Sequence, residues 1–147
     1  MKFSLIATAA LLALSAPAFA DGDIEKGEKE FKKCKSCHEV VATDGTAIVK
    51  GGKTGPNLYG IIGRPAASIE GFKYSEVMLE AGAKGLVWDE EQMAAYLPDP
   101  TKFLDEVAGD ASGKSSMTFK LKKGGNDIAA FLASVAPAAD AAAPATN

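Results

Sequence analysis

The stretch Cys34-Lys35-Ser36-Cys37-His38 decides how this sequence folds. It contains both cysteines and the single histidine of the 147-residue chain. Three side chains able to bind a metal or form a covalent bond therefore lie within five consecutive residues. Such a concentration indicates one chemical site, and the rest of the chain can be interpreted as the scaffold around it.

Three kinds of site explain this pattern poorly. A disulfide between Cys34 and Cys37 would close a very small loop, which removes little entropy from the unfolded chain. A thiol redox pair is typical of a strand-helix unit, whereas a helix is predicted before Cys34. A structural zinc site would lack its fourth ligand, and the adjacent Cys37 and His38 are awkward ligands for one tetrahedral ion.

Covalent attachment of haem c uses all three residues. Each thiol adds to one vinyl group of the porphyrin, and the adjacent histidine is then held against the iron. The pattern therefore predicts one haem c, bonded at Cys34 and Cys37, with His38 as an axial ligand of the iron.

The second axial ligand separates electron transfer from the binding of gas or peroxide. Because the chain has no second histidine, the candidates are Met78, Met93 and Met117. Met78 and Met93 lie in helical patterns, where packing in the core explains them, although Met78 remains a rival ligand. Met117 lies in a Gly/Ser-rich stretch, residues 112–119, that has no helical period. It is the predicted ligand, and its soft sulfur would favour reduced iron.

The surrounding sequence predicts a few short helices joined by long loops. Asp23 can cap a first helix, in which Gly27 permits a close crossing by another helix. Asp89 can cap a helix that ends before two prolines, and Asn126 can cap the last helix. Two loops and one short strand are predicted between them, at 51–63, 105–116 and 47–49.

Composition divides the chain into three parts. Residues 1–20 combine one lysine, a short apolar run and Ala18-Phe19-Ala20, the form of a secretory signal peptide; the run is too short for an uncleaved anchor. Residues 136–147 are an Ala/Pro-rich stretch, predicted to be a flexible tail. These ends raise the hydrophobic share to 47%, whereas the single domain at 21–135 has about 41% by the same count. A buried haem would supply the missing apolar bulk.

The motifs, taken in order, resemble those of class I cytochromes c, most of all the soluble bacterial cytochromes c2. The resemblance covers about residues 22–135, essentially the whole domain. It rests on the segments 34–38, 53–60, 63–64, 71–74, 88, 96–97 and 117–119. It implies an all-α cytochrome c fold, with several short helices and long loops around one covalently attached haem.

The resemblance also implies roles for residues outside the attachment motif. Pro56 would accept a hydrogen bond from the ring of His38, and Tyr96 would lie near the sulfur of Met117. A buried haem propionate is tolerable only when it receives hydrogen bonds. Its implied donors are Arg64, Tyr74 and Trp88.

The charges are unevenly distributed. The net charge is −3, with acids concentrated at 89–91 and 105–110, but lysines lie on both sides of the attachment motif and of Met117. These lysines are Lys32, Lys33, Lys35, Lys50, Lys53, Lys114, Lys120, Lys122 and Lys123. A haem edge ringed by lysines would orient the protein on an acidic partner, whereas the net charge disfavours nucleic acid.

Together these features predict a monomeric, periplasmic electron carrier that is not an enzyme. By resemblance, its partners are membrane redox complexes, namely a cytochrome bc1 complex, a cytochrome oxidase and a photosynthetic reaction centre. Two alternatives remain at this point. One is a small haem peroxidase or gas-binding protein with an open sixth site, and the other is a thiol oxidoreductase.

Overall fold

The computed structural model describes residues 22–109 and 113–135. The predicted signal peptide at 1–20 and the predicted tail at 136–147 lie outside the described residues. Within these ranges the chain forms five α-helices and one two-stranded antiparallel sheet. They are α1 (Ile24–Glu30), β1 (Val40–Val41), β2 (Ala47–Val49), α2 (Glu76–Ala83), α3 (Glu90–Tyr96), α4 (Pro100–Ala108) and α5 (Gly125–Ser134). None of the described helices combines the length and apolar character that crossing a membrane requires.

The first and last helices cross at a glycine, as predicted. Asp23 caps α1 by accepting a hydrogen bond from the amide three residues further on, at 3.0 Å. A Cβ atom at Gly27 would collide with the carbonyl of Asp127 and lie 2.7 Å from the Cβ of Phe131. The rings of Phe31 and Phe131 meet beside this crossing, with centroids 5.4 Å apart. The absence of a side chain at Gly27 therefore sets the distance between α1 and α5.

The caps of α3 and α5 show one correct prediction and one error. The side chain of Asp89 accepts a hydrogen bond from the amide of Gln92 at 2.6 Å, which confirms the predicted start of α3. The prediction that Asn126 caps the last helix is wrong, because α5 begins before it. The cap residue is Gly124, whose φ of +84° belongs to the left-handed region that glycine adopts without steric penalty.

Helix α4 corrects the predicted loop at 105–116. The two prolines after α3 predict only the end of a helix, but Pro100 occupies the first position of a new helix, where a missing N–H costs nothing. Asp99 caps this helix through the amide of Lys102, at 3.3 Å. Gly109, with φ +76°, then ends it. The predicted loop therefore begins one full helical turn too early.

The predicted strand at 47–49 is confirmed as β2. It pairs with β1 through Val40 opposite Val49 and Val41 opposite Ala47. The loop at 51–63 is also confirmed, since it contains neither helix nor strand.

The core is assembled from side chains that are distant in sequence. Helix α5 packs against both α1 and α3, and α2 packs against α4. The largest fully buried side chains include Phe31, Val40, Val77, Leu104, Ile128 and Leu132. Of these residues, Phe31, Ile128 and Leu132 line a cavity that the attachment motif also lines.

Candidate haem site

A tight turn directs the residues of the attachment motif toward one cavity. The amides of Cys37 and His38 both donate to the carbonyl of Cys34, at 3.1 and 2.9 Å. Cys34 is buried, Cys37 is exposed, and the two are not joined in a disulfide. All three side chains line the cavity.

The two thiols differ in their acidity. Burial raises the pKa of the Cys34 thiol to about 11. Hydrogen bonds from Thr54 and then Ser36 lower the pKa of Cys37. Cys34 is therefore protonated at neutral pH, and the exposed Cys37 is the more acidic thiol of the two.

The ring of His38 is held from two sides. Its Nδ1 lies 2.9 Å from the carbonyl oxygen of Pro56, so that Nδ1 carries the proton and Nε2 keeps the lone pair. Burial lowers the pKa of His38, and the bond to Pro56 only partly opposes this effect. A neutral imidazole with Nε2 as its lone-pair nitrogen is the form that binds a metal.

Gly55 forms the second support of the ring. A Cβ atom there would lie 2.6 Å from Nδ1 and 2.8 Å from Nε2 of His38, so only glycine allows this contact. The same loop is bonded to the attachment turn, because the amide of Gly55 donates to the carbonyl of Cys37 at 2.8 Å. Sequence reasoning did not single out Gly55. Its signal was its place between Thr54 and Pro56 in the segment 53–60.

The predicted propionate donors Arg64, Tyr74 and Trp88 all line the same cavity. Arg64 is half-buried and donates to the carbonyls of Asn57 and Tyr59, at 3.0 and 3.2 Å. Arginine has five N–H donors, so these two carbonyls do not exhaust its capacity. The hydroxyl of Tyr74 accepts a long hydrogen bond of 3.4 Å from a backbone amide.

The lining of the cavity suits a large apolar group that carries negative charge. Its volume is about 270 Å³. Much of its wall is apolar, formed by Leu58, Ile61, Leu97, Ile128 and Leu132. Among the described residues that line it, the charged side chains are Lys33, Arg64 and Lys73, and none is acidic. Thiols, an imidazole and cationic groups therefore surround an apolar space, which fits a haem with its two propionates.

All three candidate methionines line the cavity. Their sequence patterns predict core packing for Met78 and Met93, but helices α2 and α3 bring both side chains to the cavity wall together with Met117. Met93 is nearly fully buried, whereas Met78 and Met117 are partly buried against the core. Access to the cavity therefore does not by itself select the ligand.

Tyr96 is connected to Met117 through a serine. The hydroxyl of Ser115 accepts a hydrogen bond from the amide of Met117 at 3.1 Å and lies 3.4 Å from the hydroxyl of Tyr96. Burial raises the pKa of Tyr96, so its phenol stays neutral. Ser115 is itself buried. Sequence reasoning missed it, since a serine in a Gly/Ser-rich stretch carries no local signal of such a role.

No protein-family model matches the chain. Among curated proteins, it is 57% identical to cytochrome c2 of Rhodobacter capsulatus over 136 residues, which cover 92% of this chain and 98% of that protein. It is 56% identical to cytochrome c-550 of Paracoccus versutus over 149 residues, which cover 99% and 97%. The chain belongs to the cytochrome c2 family.

Solved structures of cytochromes c2 agree with this assignment. The X-ray structure of ferric cytochrome c-550 from Paracoccus versutus matches with a TM-score of 0.77 and 55% identity, over 80% of this chain and all of the other. Cytochrome c2 from Rhodobacter capsulatus matches with a TM-score of 0.76 and 56% identity, over 78% of this chain and 98% of the other. The expected all-α cytochrome c fold is therefore confirmed.

Membership of the cytochrome c2 family decides the class of function. The chain is an electron carrier, not an enzyme, and it carries one covalently attached haem c. The cysteine spacing at 34 and 37 is the spacing that this attachment requires. The alternatives of a zinc site, a thiol oxidoreductase and a haem peroxidase are set aside.

Proposed function

We propose that this cytochrome c2 transfers single electrons with His38 and Met117 as the axial ligands of its iron. The observation that carries the proposal is the single cavity that the attachment turn and residues 115–119 line together. When bound, haem c supplies an iron that alternates between Fe(II) and Fe(III). The residues of the chain bind this group, orient its ligands and shield it from water.

Support for His38 comes from its fixed orientation. Pro56 and Gly55 hold the imidazole with Nε2 as the lone-pair nitrogen. A ligand that is already oriented and neutral needs no rearrangement when the iron changes its oxidation state. Cys34 and Cys37, in the same turn, would form the two thioether bonds that keep the ring system over the imidazole.

Met117 is the best of the three methionines because of its backbone. Met78 and Met93 lie in regular helices, whose apolar faces need buried side chains in any case. Residues 113–121 form neither helix nor strand, yet the amide of Met117 is held by the buried Ser115. An irregular segment that is held in place around one half-buried methionine is better explained by ligation than by packing.

The cationic side of the cavity supports propionate binding. Arg64, Tyr74 and Trp88 would serve one buried propionate, as the resemblance implied, and Lys73 adds positive charge at the same wall. A carboxylate in this place gains charge-assisted hydrogen bonds that offset its loss of hydration. Tyr96, whose hydroxyl lies 3.4 Å from that of Ser115, would tune the Met117 sulfur.

The lysines support docking through the haem edge. Within 22–109 and 113–135, three of the nine lysines near the motif and Met117 pair with an acid, namely Lys33, Lys53 and Lys120. The others have no acidic oxygen of a described residue within 4 Å, and they are all exposed: Lys32, Lys35, Lys50, Lys114, Lys122 and Lys123. A surface of this charge favours acidic partners and fast, salt-sensitive association.

The proposed partners are membrane redox complexes: a cytochrome bc1 complex as donor, and a cytochrome oxidase or a photosynthetic reaction centre as acceptor. The carrier would be a monomer in the periplasm, exported by the signal peptide proposed at 1–20. The cytochrome c2 family shuttles electrons between redox complexes, which supports this assignment.

Optical spectroscopy tests the ligation. The ferric protein is expected to be low-spin, with the weak sulfur-to-iron charge-transfer band of methionine ligation, and the ferrous protein is expected not to bind carbon monoxide readily. A high-spin ferric spectrum without that band, combined with rapid binding of carbon monoxide, would contradict ligation by a methionine.

A further inference from the structure

The start of α4 holds the Met117 segment, residues 113–121, by two side chains. Thr101 Oγ1 accepts a hydrogen bond from the backbone amide of Ser115 at 3.1 Å. Asp99 Oδ2 lies 2.6 Å from Nζ of Lys120. The first contact is two residues before Met117 and the second is three residues after it. The methionine thus lies between two attachments to the same helix end.

The attachments lead to a rigid element rather than to another loop. Asp99 uses its other oxygen, Oδ1, to cap α4 through the amide of Lys102. One carboxylate therefore contacts both the first turn of the helix and the Met117 segment, through a partly exposed ion pair. A third attachment leads to a different element, since the amide of Leu121 donates to the carbonyl of Leu97, the residue after α3, at 2.8 Å.

We infer that Thr101 and Asp99 are positioning residues for Met117, which determine how firmly its sulfur is kept at the cavity against an external ligand. The inference rests on the proposed ligation by Met117. Ser115 connects Thr101 to Met117. Its hydroxyl accepts a hydrogen bond from the amide of Met117, and its own amide donates a hydrogen bond to the hydroxyl of Thr101. Without the Thr101 hydroxyl, a part-buried amide would lose its acceptor, and the segment would be held less tightly before Met117.

Imidazole, a ligand that competes with a methionine sulfur, provides the test. The ferric holoprotein is titrated with imidazole, and loss of the sulfur-to-iron band is followed. We expect Thr101→Val to bind imidazole about tenfold more tightly, the effect of one lost hydrogen bond that leaves a part-buried donor without an acceptor. Asp99→Asn keeps a capping side chain but loses the charge, and we expect about a two- to fivefold effect. Thr101→Ser restores the hydroxyl and is expected to match the unmodified protein.

Glu106→Gln is the matched control. It removes an exposed ion pair within the same helix, in which Nζ of Lys102 lies 3.6 Å from Glu106 Oε1. We expect its imidazole affinity to stay unchanged. Thermal unfolding of each variant separates loosening of the segment from loss of overall stability.

Three results would overturn the inference: unchanged imidazole affinity in Thr101→Val, no rescue in Thr101→Ser, or an equal increase in Glu106→Gln. A different result would contradict the underlying ligation instead. If the unmodified protein lacks the charge-transfer band, or if Met117→Ala keeps it, then Met117 is not the ligand and the inference falls with it.

Discussion

Gly55 lies against the ring of His38 so closely that a Cβ atom would come within 2.6 Å of Nδ1. The contact joins the loop after β2 to the attachment turn. It leaves the imidazole one orientation, which the bond to Pro56 also selects. The geometry of the proposed iron ligand therefore depends on a residue that carries no chemistry of its own.

We expect Gly55→Ala to displace the imidazole and to destabilise the holoprotein by about 1–3 kcal/mol, the usual cost of overpacking. Denaturant unfolding measures the stability, and the ferric spectrum reports the ligand. Gly125→Ala is the comparison, because its added Cβ would also make a tight contact, 3.2 Å from the carbonyl oxygen of Ala94, but away from the residues that line the cavity. We expect its ferric spectrum to stay unchanged, and an unchanged spectrum in Gly55→Ala as well would show that the Gly55 contact does not orient the imidazole.

The glycine at the crossing of α1 and α5 gives a second prediction. Alanine is normally better than glycine inside a helix by about 1 kcal/mol, but at Gly27 it would collide with the backbone of Asp127. We expect Gly27→Ala to lower the free energy of unfolding by about 1–3 kcal/mol, with the haem spectrum of the folded protein unchanged. A gain in stability by denaturant titration would contradict the close crossing.

Ala67 is the only described non-glycine residue with positive φ, at +58°, and it lines the cavity. A side chain in the left-handed region costs about 1–2 kcal/mol, which glycine avoids. We therefore expect Ala67→Gly to be neutral or stabilising by up to about 1 kcal/mol, despite the greater freedom of glycine in the unfolded chain. Ala81→Gly, in the buried face of α2, should destabilise instead. Differential scanning calorimetry compares the two variants, and a marked loss of stability in Ala67→Gly would refute the prediction.

Replacing methionines one at a time assigns the second ligand. Met117→Ala is expected to lower the reduction potential, because loss of the soft sulfur removes its preference for Fe(II). Met78→Ala and Met93→Ala, which line the same cavity, are expected to leave the potential nearly unchanged. Redox titration of the three holoproteins gives the answer, and a larger shift in Met78→Ala would reassign the ligand.

The chain without haem is expected to be poorly folded. Without haem, the apolar wall formed by Leu97, Ile128 and Leu132 would have no group to pack against. The lost contacts would weaken a domain whose whole stability is typically about 5–15 kcal/mol. A double variant, Cys34→Ala with Cys37→Ala, expressed without haem, should show weak near-ultraviolet circular dichroism. A compact variant with a cooperative unfolding transition would contradict this expectation.

The sequence by itself determined the chemistry, because the decisive information is local. Two cysteines and a histidine within five residues select haem attachment, and caps such as Asp23 and Asp89 act on amides three residues away. Even the local signals failed where a residue type has two uses. Proline is found both at the start and after the end of helices, and Pro100 begins α4. Gly124, not Asn126, is the N-cap of α5, because the chain enters this helix through a left-handed backbone conformation rather than through a side-chain acceptor.

Only the tertiary structure decided how the parts meet. The approach of Gly55 to His38, and the hydrogen bond between Thr101 and Ser115, join positions 14 or more residues apart. Such contacts follow from the packing of whole elements around the cavity, and single residue types do not encode them. The same packing brings Met78, Met93 and Met117 to one wall, although the sequence alone separates them by helical pattern. The attachment motif is therefore recognisable from five consecutive residues, whereas the contacts that position the proposed second ligand form only in the folded protein.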